Sequence, residues 1–132
     1  MRYMLDTDIC IYIANKHPVS VQQRLLKLSP GDACISTITY AELRYGAEKS
    51  KRRAHNLETL DRLRAAINVV DFDELASEQY GIIRAELEQK GQIIGGNDLL
   101  IAAHAKTLGA TLVTNNVREF KRVTGLSVEF WA

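Results

Sequence analysis

Residues 3–8 read Tyr-Met-Leu-Asp-Thr-Asp, a short apolar run that meets an acid, Asp6, where a helical pattern begins. Two other acids take comparable places, because Glu42 follows the apolar run at 33–36 and Asp98 opens a later helical pattern. In an open α/β sheet, the carboxyl ends of the strands and the first turns of the helices after them line one crevice. The sequence therefore predicts that three carboxylates meet at one edge of a parallel sheet.

Short apolar runs alternate with helical periodicity along the whole chain. We expect strands over 3–5, 33–36, 67–70 and 111–114, with a fifth, edge strand over 127–130. We expect helices over 7–15, 19–28, 38–48, 51–66, 73–90, 98–108 and 117–122. This alternation implies right-handed crossovers and a mostly parallel sheet of four to five strands between two helical layers. The predicted fold class is α/β, a three-layer α/β/α sandwich that forms a single domain over 1–132 and is more than half helical.

Composition gives few constraints on function. Seventeen Lys and Arg balance sixteen Asp and Glu, so the net charge of +1 does not by itself indicate a nucleic-acid partner. Cys10 and Cys34 both lie in apolar patterns, and we expect two reduced core residues. An acid interrupts the first apolar run and no apolar run reaches about 18 residues, so we expect a cytoplasmic protein without a membrane span.

Each acid also has a simpler interpretation as a helix cap. Asp6 is suited to cap the first helix, and Glu42 completes a capping box with Thr39. Asp98 or its neighbour Asn97 is suited to cap the helix that follows two glycines. Independent caps have no reason to share one sheet edge, so their convergence favours a common site. Clustered carboxylates repel one another and raise one another's pKa, and a cation that bridges them relieves this cost.

Four stretches carry a resemblance to a known family. They are Met4-Leu-Asp-Thr-Asp-Ile9, Ser36-Thr-Ile-Thr-Tyr-Ala-Glu-Leu-Arg-Tyr-Gly46, Asn97-Asp-Leu-Leu-Ile-Ala-Ala-His-Ala105 and Leu112-Val-Thr-Asn-Asn-Val-Arg-Glu-Phe120. Together they make the chain resemble PIN domains, specifically the VapC toxins of bacterial type II toxin–antitoxin pairs, over nearly its full length. The resemblance implies a Mg²⁺- or Mn²⁺-dependent endoribonuclease and a homodimer. It also implies inhibition by a cognate VapB-like antitoxin whose C-terminal segment covers the acidic crevice.

The resemblance assigns the family's acidic positions to Asp6, Glu42 and Asp98. Many PIN domains carry an aspartate after the final core strand, where this chain has Asn116, so a fourth charged ligand is in doubt. Asp8 stands where relatives often have Asn or Ser, and we expect its side chain to face solvent.

The residues also suggest a chemistry of their own. Carboxylates without a His or Cys cluster favour a hard cation such as Mg²⁺ over zinc. We expect Asp6 and Asp98 to be the principal metal ligands, with Glu42 holding a metal-bound water or taking its proton. Asn116 would orient a water or a phosphate oxygen. In-line attack by water predicts a 5′-phosphate and a 3′-hydroxyl at the cut.

Two basic clusters are candidates for RNA contacts, one after Glu42 and one after Asn116. They comprise Arg44, Lys49, Lys51, Arg52 and Arg53, and then Arg118, Lys121 and Arg122. For any single residue among them, a solvated helix face is the simpler interpretation. Tyr40 and Tyr45 would stack on bases or pack against a helix or second subunit. A structured RNA such as a transfer RNA is the substrate class that the resemblance suggests.

Two other function classes fit parts of the sequence. Asp6-Thr-Asp8 after an apolar strand also resembles haloacid-dehalogenase-type phosphatases, in which the first aspartate is the nucleophile, although the chain is short for that family. Alternatively, the acids form a non-catalytic docking surface for a basic partner peptide. His17, His55 and His104 lack a nucleophile partner in a recognisable motif, and His104 is expected in the core.

Overall fold

A computed structural model describes residues 2–132; Met1, the first residue of the predicted domain, lies outside the described residues. The strands of this part are β1 Tyr3–Leu5, β2 Ala33–Ser36, β3 Asn68–Val70, β4 Thr111–Val113 and β5 Val128–Glu129. The helices are α1 Thr7–Asn15, α2 Val19–Leu26, α3 Thr37–Glu48, α4 Arg53–Ala66, α5 Glu74–Gln89, α6 Gly96–Leu108 and α7 Val117–Phe120. Every predicted element is present, and more than half of the residues are helical.

The five strands form one sheet in the order β3-β2-β1-β4-β5, and every neighbouring pair is parallel. At the centre, Tyr3 of β1 is in register with Ala33 of β2 and with Thr111 of β4. The prediction of a parallel sheet with up to five strands is confirmed. Because all strands run the same way, their carboxyl ends lie along one edge, where ligands bind in open α/β sheets.

Helices cover both faces of this sheet, which confirms the three-layer architecture. Successive side chains of a strand point to opposite faces. Tyr3 and Leu5 accordingly join a core that α1, α2 and α4 cover, whereas Met4 joins the core beneath α5 and α6. All three β1 residues are buried, as expected for a central parallel strand that is covered on both sides.

The two cysteines belong to different faces of the sheet. Cys10 packs in the core beneath α1, and Cys34 packs in the opposite core, so they cannot form a disulfide. Burial raises the pKa of the Cys34 thiol to about 11 and also raises that of Cys10. Both are therefore neutral, reduced core residues, as predicted. Within residues 2–132, no helix combines the length and the apolar character needed to span a bilayer.

Two predicted helix caps are wrong. Helix α3 begins at Thr37, and its N-cap is Ser36, whose Oγ accepts a hydrogen bond from the Ile38 N–H at 3.0 Å. The capping box between Thr39 and Glu42 therefore does not form, because both residues lie inside the helix.

Helix α6 also begins earlier than predicted. Gly95 takes the N-cap position, so Asn97 and Asp98 lie in the first turn rather than at the cap. An acid in the first turn of a helix is stabilised by the helix dipole without capping it. The Glu42 and Asp98 carboxylates are thereby both left available for other partners.

Phe120 anchors the short helix α7 in the core. Its side chain is completely buried, in the same cluster as Met4 and Leu112. We expect Phe120→Ala to lower the free energy of unfolding by about 3–5 kcal/mol, because the ring leaves a cavity. Urea denaturation monitored by circular dichroism measures this loss. Phe130→Ala, at an aromatic residue that is 55% exposed, should cost less than about 1 kcal/mol, and equal losses would contradict the assignment.

Candidate functional site

Asp6 lies at the carboxyl end of β1 and caps α1. Its Oδ1 accepts a hydrogen bond from the Thr7 N–H at 2.8 Å, and its Oδ2 accepts one from the Thr114 hydroxyl at 2.8 Å. Burial raises the pKa of Asp6, while these two hydrogen bonds lower it. The capping interpretation is confirmed, and it does not compete with a role in a site. The carboxylate is held rigidly between the two central strands β1 and β4.

Glu42 lies on α3 and is connected to Asp6 through a single residue. The Thr7 hydroxyl donates a hydrogen bond to Glu42 Oε1 at 2.8 Å, while the Thr7 backbone N–H binds Asp6. The negative charge of Glu42 contributes to the raised pKa of Asp6, so the two carboxylates are electrostatic neighbours. The first turn of α1 thus orients both acids.

Asp98 completes the predicted set of three. Its pKa is raised to about 7, first by burial and then by the negative charges of Asp6, Glu119 and Glu42. One side-chain oxygen of Asp98 lies 3.5 Å from the position that a Cβ on Gly95 would occupy, so this carboxylate faces the glycine loop before α6. The fold therefore brings acids from β1, α3 and α6 into one electrostatic cluster.

Glu119 is a fourth acid of this cluster, and the sequence interpretation missed it. It lies within hydrogen-bonding range of Asp98, and its Oε1 accepts a hydrogen bond from the Gly95 N–H at 3.2 Å. The sequence predicts that Asn116 fills the site position after β4. In the structure, Asn116 is exposed at the start of α7, and its backbone N–H donates a hydrogen bond to the Thr114 hydroxyl. The spacing in the sequence could have indicated Glu119, because it lies three residues beyond Asn116, on the first turn of the next helix.

Asp8 is exposed on α1, as expected, and its charge contributes to the raised pKa of Asp6. His104 is 1% exposed, with its Nδ1 2.8 Å from the Ser36 Oγ and its ring edge-on to Phe72. The prediction of a core histidine is confirmed. Its contact with Ser36 joins α6 to the N-terminus of α3, the two helices that carry Asp98 and Glu42.

The donor set fits a hard divalent cation that keeps much of its hydration shell. Carboxylate oxygens dominate the cluster, and the nearby Cys10 stays protonated because burial raises its pKa. Within residues 2–132, no group of three or more acidic, histidine or cysteine side chains is arranged so that it could hold a metal ion. Mg²⁺ needs only one or two protein carboxylates when waters complete its shell. A cation at this position would relieve the repulsion that raises the pKa of Asp98.

Clefts flank the acids on two sides. One, of about 380 Å³, lies between α1, α3 and α4 and has Thr7, Glu42 and Arg52 in its wall. The other is lined by Asn115, Asn116, Arg118, Glu119 and Arg122. Both predicted basic clusters thus contribute residues next to the acids. Arg44 and Arg53 instead pair with Glu48, at 2.8 and 2.7 Å.

The Thr114 hydroxyl positions Asp6, so Thr114→Val is expected to weaken binding of Mg²⁺ or Mn²⁺ by about 10–100-fold. The valine keeps the side-chain shape but leaves Asp6 Oδ2 without its partner. Isothermal titration calorimetry measures the affinity directly. Thr111→Val, at the opposite end of the same strand, is the matched control. Unchanged affinity in Thr114→Val would show that this hydrogen bond only stabilises the fold.

Comparisons with known proteins give a consistent result. A family model described as PIN domain matches residues 3–126. The chain is 50% identical over 132 residues to ribonuclease VapC2 of Rickettsia felis, covering 99% of this chain and 98% of the relative. It is 45% identical to the tRNA(fMet)-specific endonuclease VapC of Shigella flexneri, covering 100% of this chain and 99% of the relative.

Solved structures show the same relationship. The toxin chain in the VapBC2 complex of Rickettsia felis, bound to a DNA fragment from its promoter, aligns with a TM-score of 0.94 at 49% identity, covering 100% of both chains. FitAcB from Neisseria gonorrhoeae aligns with a TM-score of 0.84 at 28% identity, covering 96% of this chain and 95% of the other.

Proposed function

Because this chain belongs to the PIN-domain family and, within it, to the VapC ribonucleases, we propose that it cleaves RNA with Mg²⁺ or Mn²⁺ as cofactor. The observation that carries the proposal is the convergence of Asp6, Glu42 and Asp98 at the carboxyl edge of the sheet. Their mutual repulsion and the raised pKa of Asp98 mark a site built for positive charge.

Asp6 and Asp98 are the proposed principal ligands, and Glu119 joins them as a fourth acid. When bound, the ion supplies charge neutralisation at the scissile phosphate and lowers the pKa of a water. Asp6 is preorganised for this role by its two hydrogen bonds. Glu119 supplies the negative charge that Asn116 lacks, and the exposed amide of Asn116 stands beside it to orient a phosphate oxygen or a water.

Glu42 is the proposed general base. Its Oε1 is held by the Thr7 hydroxyl, which leaves Oε2 to accept a proton from the attacking water. A proton acceptor held next to two ligand carboxylates aligns the nucleophile with the phosphorus atom. Water as nucleophile leaves a 5′-phosphate and a 3′-hydroxyl and does not use the 2′-hydroxyl of the substrate.

The alternative of a phosphatase with Asp6 as nucleophile has little support. The family model that matches residues 3–126 is the PIN domain, and relatives that cover the whole chain are named ribonucleases, not phosphatases. A purely non-catalytic docking surface is disfavoured because the full-length relatives are named ribonucleases. Such a surface also needs no cluster of partly buried acids.

We further propose a VapB-like antitoxin as partner, because the structural relatives are toxin–antitoxin complexes. An arginine from that partner would pair with the clustered carboxylates and compete with the cation. Transfer RNA is the proposed substrate class, since the Shigella flexneri relative is named for it. A homodimer through the helices around 40–64 is the proposed assembly.

The test is to incubate antitoxin-free protein with total transfer RNA in EDTA, in Mg²⁺ and in Mn²⁺. We expect cleavage only with an added ion, and end-labelling should find 5′-phosphate and 3′-hydroxyl termini. A 2′,3′-cyclic phosphate would refute the mechanism. Cleavage that persists in EDTA would refute the role assigned to the ion.

A further inference from the structure

The cleft between α1, α3 and α4, here called the Gly46 groove, is lined on its α3 side by Gly46 and Ala47. We propose that this groove holds one nucleotide of the RNA next to the scissile phosphate. It would thereby contribute to the choice of cleavage site. The inference rests on the proposed ribonuclease function and adds a substrate subsite to it.

The groove is continuous with the acids. Thr7 and Glu42, which hydrogen-bond to each other at the acid cluster, also line the groove. Its volume of about 380 Å³ lies within the range of small-ligand pockets, roughly 300–1,000 Å³. An RNA strand that places a phosphate at Asp6 therefore has an adjoining cavity for the neighbouring nucleotide.

Gly46 keeps this groove open. It lies inside α3, where glycine costs roughly 0.5–1 kcal/mol relative to alanine. Apart from its chain neighbours and the backbone of its own helix, no atom lies within 4 Å of the position that its Cβ would take, and its φ is not positive, so neither packing nor backbone conformation requires glycine. Because Gly46 lines the groove, a side chain here is expected to occupy part of the groove volume.

The chemistry of the lining suits a nucleotide. Leu43, Leu60 and Leu63 give apolar walls for a flat base, and the exposed imidazole of His55 provides a ring on which a base stacks. Asn15 is exposed at the other side and offers an amide for the base edge. A purely apolar partner segment would leave these polar groups without partners.

Arg52 supplies the matching positive charge. It is exposed at the groove and forms no ion pair within the part of the chain that the structure describes. Its neighbour Arg53 is bound to Glu48 instead. An unpaired guanidinium in the lining of the cleft that also contains Glu42 is suited to a phosphate of the RNA strand.

Two substitutions test the subsite from different directions. Gly46→Leu fills the groove, and Gly81→Leu is its control, because Gly81 also lies inside a helix with open space above it but lines neither cleft. Arg52→Ala removes the cation at the N-cap of α4, and Arg62→Ala, at an exposed arginine within α4, is its control. All four proteins are checked by circular dichroism.

The measurement is kcat/KM on total transfer RNA with Mg²⁺, together with mapping of the cut sites. We expect Gly46→Leu to lower kcat/KM by about 10–100-fold, the loss that follows when one base loses its stacking position. Arg52→Ala should lower it about tenfold and reduce the slope of log(kcat/KM) against log(salt) by about one. Both controls should stay within about twofold of the parent protein.

Cleavage by Gly46→Leu and Arg52→Ala at the parent rate and sites would overturn the subsite. If their affinity for the antitoxin falls instead, the groove belongs to the antitoxin. If the parent protein cleaves no RNA with either ion, the ribonuclease function itself is wrong and the subsite falls with it. Cleavage by the parent and both controls, with loss in both groove variants, supports the proposal.

Discussion

Asp6→Asn is expected to reduce RNA cleavage by about 10³-fold, which corresponds to roughly 4 kcal/mol of transition-state stabilisation. Asparagine has the same shape and keeps an oxygen for the Thr7 N–H, so the N-cap of α1 survives. What disappears is the negative charge at the centre of the acid cluster. The loss therefore reports the electrostatic contribution of Asp6 rather than damage to the fold.

Asp8→Asn is the matched control, because it removes the same charge two residues away from an exposed position on α1. Its kcat/KM for labelled RNA at saturating Mg²⁺ should stay within about threefold of the parent value. Thermal unfolding should show Asp6→Asn to be at least as stable as the parent, since burial raises the pKa of Asp6. If the activity of Asp6→Asn stays within tenfold of the parent value, Asp6 only caps α1 and has no role in cleavage.

The sequence alone was sufficient to predict the framework on which this site depends. The bounds of β1 and α1 match the prediction because two strong local signals meet at Asp6, the end of an apolar run and an N-cap residue. The alternation of strands and helices then limited the topology to a parallel sheet. Asp6 at the end of β1 and Glu42 on the helix after β2 were therefore expected near one edge, whereas Asp98 lies on α6, which follows a helix and not a strand.

The predictions that were wrong concern which of two nearby residues caps a helix. Ser36 and Thr39 are both good N-caps, and the structure uses Ser36, which lies at the end of β2, so that α3 starts one residue earlier than predicted. At α6, Gly95 takes the cap although Asn97 has a better capping side chain. Local propensities differ by too little at such positions to determine which residue caps the helix.

Glu119 and the Gly46 groove were missed for a different reason. Glu119 stands among Arg118, Lys121 and Arg122, a charge pattern typical of a solvated helix. Only the packing of α7 against the loop before α6 brings it to Asp98. The groove likewise depends on the spacing of α1, α3 and α4, which no single segment encodes.

Without divalent cations, the ionisation of Asp98 should lower the free energy of unfolding as the pH rises from about 4 to about 7. The pKa of Asp98 is raised from 3.8 to about 7, so the folded state binds a proton more tightly than the unfolded state in this range. Stability decreases with pH wherever the folded state holds more protons. The free energy of unfolding therefore decreases progressively as the pH rises through this window and Asp98 ionises in the folded protein.

Other groups titrate in the same range, so the comparison must be made against Asp98→Asn. The pKa of His104 is lowered by burial, so its contribution to the free energy of unfolding decreases as the pH falls. This pH dependence is opposite to that of Asp98. Asparagine at position 98 has the shape of the protonated aspartic acid and does not ionise. Subtracting the two unfolding curves at each pH cancels His104 and leaves the titration of Asp98 together with its electrostatic coupling to Asp6, whose pKa is also raised.

In EDTA, the two proteins should have nearly the same Tm at about pH 4, and Asp98→Asn should be more stable by at least about 3 °C at pH 8. This corresponds to about 1–2 kcal/mol after allowance for solvent screening of a partly exposed group. Excess Mg²⁺ at pH 8 should raise the Tm of the parent more than that of Asp98→Asn, because the variant lacks one of the two proposed ligand carboxylates. Parallel Tm curves from pH 5 to pH 8 would mean that Asp98 is already ionised at low pH and that the acids do not strain one another.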